Sequence, residues 1–287
     1  MNLRDIHIPV LLERCVELLG PALQHAVDAG RDAVYVDGTL GMGGHSEAFL
    51  ERFPRIRQVG LDRDPDALRI AGERLAPFAD RIALVHTVYD GIGEALRAAG
   101  HDHADAVLYD LGVSSLQLDE AERGFAYAQD APLDMRMDPT QGITAADVVA
   151  TYGEGDLRRI FERYGEEKLS GRYARAIIAA RQQSPIARSG QLVDILQAAT
   201  PAALKNAGHP AKRVFQALRI EVNGELAALE RAIPAALGTL AVGGRLVVLS
   251  YQSLEDRFVK RLFAEATTST APAGLPFELP EHAPQFR

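Results

Sequence analysis

The sequence is poor in the features that mark secreted, membrane-spanning and metal-built proteins. One cysteine, Cys15, among 287 residues leaves no partner for an internal disulfide and fits a reducing compartment. No 18 apolar residues run together, and the opening MNLRDIHIPVLLERCVELLG mixes charges into its apolar residues rather than following a signal-peptide layout. These absences predict a cytoplasmic chain with no membrane partner. His101-x-His103 sits in the polar turn GHDHAD without further clustered ligands, so no metal is expected. Cys15 falls on the apolar face of a short helix, which suits a small buried hydrophobe better than a nucleophile. There is no internal repeat and no low-complexity tract.

What is present suits a globular α/β chain. A hydrophobic fraction of 47% can supply a core, and the length allows one large domain or an ordinary domain carrying a smaller one. The formal charge of −8 argues against a nucleic-acid partner until it is divided along the chain. Between Arg158 and Arg219 stand twelve Lys or Arg against four acids, a segment of +8 on a remainder of −16. Such asymmetry suggests a polyanion-facing module on an acidic body, although solvated helix faces would read the same way.

Residues 33 to 111 alternate short β-rich runs (AVYVD, RQVGLD, RIALVH, ADAVLYDLG) with helical patterns beginning near Gly44, after Pro65 and over about 92 to 98. That is the signature of a parallel sheet with crossover helices. About a hundred helical or polar residues follow, then a long helix over about 211 to 237 and a further strand, GGRLVVLSY. The pattern predicts a Rossmann-like domain from 1–117 and 215–287, with an inserted helical domain at 118–214. The last strand or its neighbour would form an exposed edge, to be covered by the loop-like tail after Thr267 or by chain beyond this sequence.

The stretch VYVDGTLGMGGHSEAF is a glycine-rich turn between a strand and a helix, able to bring backbone close to a ligand and to offer unpaired N–H groups. NAD, FAD, nucleoside triphosphates and S-adenosylmethionine are all served by such turns. The dinucleotide pattern is met imperfectly, because Ser46 stands where the third Gly or Ala belongs, and Asp37-x-Thr39-x-Gly41-x-Gly43 lies closer to the methyltransferase form. Asp62, nineteen residues past Gly43 at a strand end, can accept both ribose hydroxyls of either NAD or S-adenosylmethionine. Tyr89 can flank an adenine, and a core or surface tyrosine would look the same. Asp110 ends the fourth strand, where this class of fold places its ligands. A methyltransferase meets its methyl acceptor there, whereas an NAD-dependent oxidoreductase, the alternative reading, would next need a proton-shuttling His, Tyr or Lys in a recognisable motif. The predicted 211–237 helix gathers Arg213, Gln216, Arg219 and Asn223 near one face and Phe215, Leu218, Val222 and Leu226 towards another.

The segments DGTLGMGGHS, GLDRDPDAL, LYDLGVSSLQLDEAERGFAY, PLDMRMD, RYGEEKLSGRYARAI, HPAKRVFQALRIEVNGEL and SLEDRFVKR follow one another in order. With HIPVLLERCVELL before them, they resemble the bacterial small-subunit (16S) ribosomal RNA cytosine-N4 methyltransferases, the RsmH or MraW family, over nearly the whole chain. The resemblance implies an α/β class I S-adenosylmethionine-dependent methyltransferase fold with an inserted all-helical domain. It also implies S-adenosyl-L-methionine as donor, 16S rRNA in the 30S ribosomal subunit as RNA partner, and a decoding-centre cytosine as acceptor. Position by position, Gly43, Gly44 and His45 would meet the donor's amino-acid end, Asp62 its ribose and Tyr89 its adenine. Asp110 and Gln117 would complete the pocket, with Asp110 also the candidate catalytic group; Phe125, Tyr127 and Tyr251 could stack on the target base. Leu116 stands where the family often has proline, Tyr251-Gln252 where it typically has Phe-His, and relatives continue past residue 287 into a basic segment, which implies that the last sheet strands are missing.

Overall fold

The computed structural model describes residues 9–204, 208–272 and 282–287. Lys205 of the basic segment and residues 273–281 of the tail lie outside them. Five strands, β1 (Ala33–Asp37), β2 (Ile56–Asp62), β3 (Ile82–His86), β4 (Ala104–Asp110) and β5 (Leu240–Leu249), form one parallel sheet in the order β3-β2-β1-β4-β5. β1 is buried throughout and β4 at every residue but its last, as expected of apolar runs covered on both faces. β5 pairs only with β4 among the described residues and is more exposed, with Val242 fully in solvent.

Helices α1 (Leu12–Asp28), α2 (Gly44–Arg52) and α3 (Pro65–Arg74) pack on one face of the sheet through Leu19, Leu23, Tyr35, Phe49 and Ala71. α4 (Ile92–Ala98), α11 (Glu225–Thr239) and α12 (Ser253–Thr267) cover the other through Ile92, Leu96, Ile233 and Val259. Cys15 is fully buried, and burial first, then the charges of Asp110 and Asp37, push its thiol up to about 11. The expected small buried hydrophobe is therefore what stands there.

Between β4 and α11 the chain forms α5 (Ser115–Asp119), α6 (Ala145–Thr151), α7 (Glu154–Gly165), α8 (Ser170–Arg181), α9 (Ser189–Ala199) and α10 (Ala211–Asn223). These helices share a core of their own, including Phe125, Met135, Phe161, Tyr173, Leu192, Phe215 and Leu218. The single helix expected over 211–237 is instead two. Gly224 adopts φ +59° and closes α10 by donating its N–H to Glu221 O, after which α11 starts in a new direction. α10 thereby packs with the inserted helices while α11 packs on the sheet.

Candidate active site

A cleft of about 620 Å³ opens over the carboxyl ends of the strands, walled on one side by the sheet loops and on the other by α10 and the start of α12. Gly44, His45, Asp62, Tyr89, Asp110 and Gln117 all line it, as do Phe125, Tyr127 and Tyr251. Gly43 does not. It turns the chain at φ +79°, donates its N–H to Leu40 O, and faces Ala71 of α3 and Leu75 just after it, behind the loop. Its neighbours Gly38, Thr39, Gly41 and Met42 form the cleft wall.

The loop after β1 is fixed by polar residues that the glycine pattern alone does not explain. Asp37, 1% exposed, accepts from Ser46 Oγ at 2.8 Å and Thr39 N at 3.3 Å, and Gln58 Nε2 donates to the same serine oxygen at 3.0 Å. Burial pushes the Asp37 carboxyl up, while His45 and the Ser46 hydroxyl oppose the rise. Thr39 Oγ1 accepts the Asp110 N–H at 2.6 Å, tying the β1 loop to the end of β4. Ser46 and Thr39, which spoil a dinucleotide pattern, are thus structural members of this loop.

Asp62 accepts the Gly41 N–H at 2.7 Å on one oxygen and the Asp64 N–H at 2.9 Å on the other. Burial nevertheless dominates and pushes its carboxyl up to about 6 against those two bonds. Each carboxylate oxygen has capacity for a further donor, so a ligand bringing hydroxyl groups here meets a partly desolvated acceptor. Tyr89 stands against Tyr109 with ring centroids 5.2 Å apart and donates its hydroxyl to Glu225 O at 3.3 Å.

Gln117 is 4% exposed and occupied locally. It closes a capping box with Ser114 at the start of α5 and donates Nε2 to Asp64 Oδ2 at 3.0 Å. The loop is closed in this way with Leu116 in the proline's place. The same Asp64 oxygen accepts from Arg123 Nη2 at 2.7 Å, and that guanidinium nitrogen also donates to Met137 O at 2.9 Å. Asn223 accepts from Met137 N and donates to Met135 O, both at 2.8 Å, and Arg63 donates to Asn223 O at 2.7 Å. Asp64, Arg123 and Asn223 therefore seam the inserted helices to the sheet. None was singled out as part of a seam from sequence, because each has a partner 50 or more residues away; the spacing in GLDRDP and the segments RGF and PLDMRMD were the only traces of it.

Tyr251 and His45 converge on Asp110. Its Oδ1 accepts the Tyr251 hydroxyl at 2.7 Å, and its Oδ2 lies 3.8 Å from His45 Nδ1. The Tyr251 ring is 56% exposed while its backbone N–H is held by buried Glu255 at 3.1 Å. Gln252 Nε2 donates to the same glutamate at 2.8 Å, and its own Oε1 is buried without a hydrogen-bond partner among the described residues. Burial raises the Glu255 carboxyl against those two bonds, with Glu225 adding to the rise. Tyr127 stacks on His209 at 4.6 Å, and Phe125, which lines the cleft, also belongs to the helical core.

The basic segment is partly neutralised in place. Arg158, Arg159, Arg175, Arg188 and Arg219 pair with Glu162, Asp156, Glu154, Asp130 and Glu225, and Arg213 donates to Glu166 O. Exposed pairs of this kind are worth little and exchange readily. Arg219 is different, held by two bonds of 2.8 and 2.9 Å to Glu225 at the cleft wall, where Lys212 also stands. Among the described residues no group of three or more His, Cys, Asp or Glu could hold a metal, and no helix is long and apolar enough to cross a membrane.

A parallel β3-β2-β1-β4-β5 sheet with helices on both faces and a cleft over its carboxyl ends is the Rossmann-like architecture of the class I methyltransferases. The model of the MraW methylase family matches residues 4–287. A protein named Ribosomal RNA small subunit methyltransferase H from Leifsonia xyli subsp. xyli is 69% identical over 283 residues, covering 99% of this chain and 86% of its own. The protein of that name from Clavibacter michiganensis subsp. michiganensis is 67% identical over 287 residues, covering 100% and 89%. The one from Nocardia farcinica is 62% identical over 285 residues, covering 98% and 86%. The chain belongs to the MraW methylase family.

Proposed function

We propose that the chain transfers a methyl group from S-adenosylmethionine to the exocyclic N4 of a decoding-centre cytosine in 16S rRNA of the 30S subunit. The small-subunit rRNA methyltransferase names of its relatives support the RNA. Asp110, an acceptor held in the cleft between Tyr251 and His45, is the observation that carries the amine.

The cleft suits such a donor. A Cβ on Gly41 would meet only Thr39 O within 4 Å, leaving the loop's cleft side open for close approach, and Asp62 offers a desolvated carboxylate to a pair of ribose hydroxyls. Gly44 and His45 would hold the amino-acid end, with Gly43 setting the turn behind them. Tyr89 would lie along the adenine, and Gln117 would act by fixing the loop after β4. When bound, S-adenosylmethionine supplies a methyl group on a positively charged sulfur.

The protein's share of the chemistry is placement. The N4 lone pair of cytosine is delocalised into its ring, so a hydrogen-bond acceptor on the amine hydrogens helps the nitrogen pyramidalise. Asp110 is that acceptor, oriented by the Tyr251 hydroxyl on its other oxygen. A base turned out of structured RNA needs a π-face to rest on, and the exposed Tyr251 ring supplies one. In this reading the helical insert, 118–214 with the adjoining turns of α10, grips the RNA while the Rossmann-like body holds the donor. Titration with S-adenosylmethionine beside NAD tests the donor: binding of the former alone is expected, and binding of NAD alone would overturn the reading.

A further inference from the structure

His45 has a second feature besides its place in the loop: both ring nitrogens have defined surroundings, and the residue is only 7% exposed. Nε2 lies 3.0 Å from the Val10 carbonyl oxygen, which can only accept, so Nε2 carries a proton. In the singly protonated ring Nδ1 keeps its lone pair, and Nδ1 stands 3.8 Å from Asp110 Oδ2. In that state two acceptors face each other just beyond hydrogen-bond reach, and a proton placed between them would draw them together. The other carboxylate oxygen, Oδ1, already takes the Tyr251 hydroxyl proton.

We propose that His45 Nδ1 is the final proton acceptor of the methyl-transfer reaction, reached through Asp110 Oδ2, and that the donor's positive charge keeps the ring neutral until transfer is complete. The inference rests on the reading above of a sulfonium donor and an amine acceptor. The amine lone pair forms the new N–C bond while the S–C pair returns to sulfur. The nitrogen, now positive, loses one N–H proton to Asp110 Oδ2, which passes it to Nδ1. The cleft begins with a cationic donor and neutral imidazole and ends with a thioether, a neutral methylamine and an imidazolium, so its charge is unchanged throughout. Two cations close together in a poorly hydrated cleft repel strongly.

The other charged or titratable groups facing this ring are few among the described residues. Asp37 at the end of β1 interacts with it electrostatically. The Glu47–Arg74 pair, at 2.7 Å, joins α2 to α3 beside Gly44 and is self-neutralised. Cys15 of α1, the thiol held up to about 11, stays protonated near neutrality. The cation set against a proton on His45 is the donor's sulfonium.

Calorimetric titration of the full chain in buffers of different ionisation enthalpy, near the ordinary imidazole value of about 6.5, counts protons exchanged on binding. S-adenosylmethionine should release roughly one proton more than S-adenosylhomocysteine, whose sulfur is neutral. In His45→Gln the amide nitrogen can keep the Val10 bond but not accept a proton; at ligand concentrations raised to offset the lost donor contact, the difference in proton count between the two ligands should disappear. Equal proton counts in the wild type, or an undiminished difference in the variant, would overturn the proposal. Failure of either ligand to bind the wild type would instead overturn the donor reading, and this proposal with it. Nitrogen NMR of the wild type needs no variant: His45 should show the neutral Nε2–H tautomer with S-adenosylmethionine and the imidazolium with S-adenosylhomocysteine. A ring charged in both complexes contradicts the proposal.

Discussion

Replacing Asp62 by Asn separates what the cleft costs the fold from what it gives to binding. Burial lifts this carboxyl from an ordinary 3.8 to about 6 despite two backbone N–H donors. A carboxyl raised on folding destabilises the folded state above its unfolded pKa, because the unfolded chain ionises more easily. Here that penalty amounts to about 3 kcal/mol at pH 7, and roughly half of it is recovered by pH 5. Asn removes the penalty but has one acceptor oxygen where two N–H groups need one each, and an orphaned buried N–H costs about 1–3 kcal/mol. The two effects nearly cancel at pH 7. In urea unfolding, the variant should therefore match the wild type within about 2 kcal/mol at pH 7, and should lose ground relative to it by roughly 1.3 kcal/mol at pH 5. Donor affinity should move the other way: without a charged acceptor for the ribose hydroxyls it should fall about 10- to 100-fold, as judged by calorimetry. A stability difference that does not change with pH, or an Asn variant that binds S-adenosylmethionine as tightly as the wild type, would refute the reasoning.

Three further outcomes follow from the same geometry. Gly38→Ala places a Cβ 2.2 Å from Tyr109 Cε1, on a fully buried ring, and should cost about 3 kcal/mol in denaturant unfolding. Tyr251→Phe keeps the ring and loses the bond to Asp110; turnover should drop about 10-fold with stability within roughly 0.5 kcal/mol, and an unchanged kcat would remove Tyr251 from the orienting role. Lys212→Ala should weaken rRNA binding and lower the slope of log affinity against log salt by about one, whereas an unchanged slope would place α10 outside the RNA contact.

The sheet was legible because its strands are short apolar runs ending in acids, and Asp37, Asp62 and Asp110 indeed close β1, β2 and β4. The cleft residues followed from those strand ends, since a parallel sheet presents its carboxyl ends together. Less was legible where long-range partners decide the outcome. Asn223-Gly224 carries a local stop signal, but NGEL continues the helical pattern on both sides and masks it, and the division of packing between insert and sheet is what the break serves. Gly43 reads as a ligand contact in the motif, yet its positive φ serves the turn while Gly41 and Met42 make the wall. The basic segment looks like a continuous cationic face in sequence because most of the acids that pair with it, Asp130, Glu154, Asp156 and Glu225, lie outside its bounds.

The central claim is the identity of the methylated atom. Incubating the full chain with labelled S-adenosylmethionine and 30S particles lacking the modification, then digesting the 16S rRNA and resolving the nucleosides by mass, tests it most directly. The account predicts one labelled methyl, on the exocyclic nitrogen of a single decoding-centre cytidine. Label on a ribose or a ring carbon, or no transfer by a protein that binds both donor and particle, would contradict it.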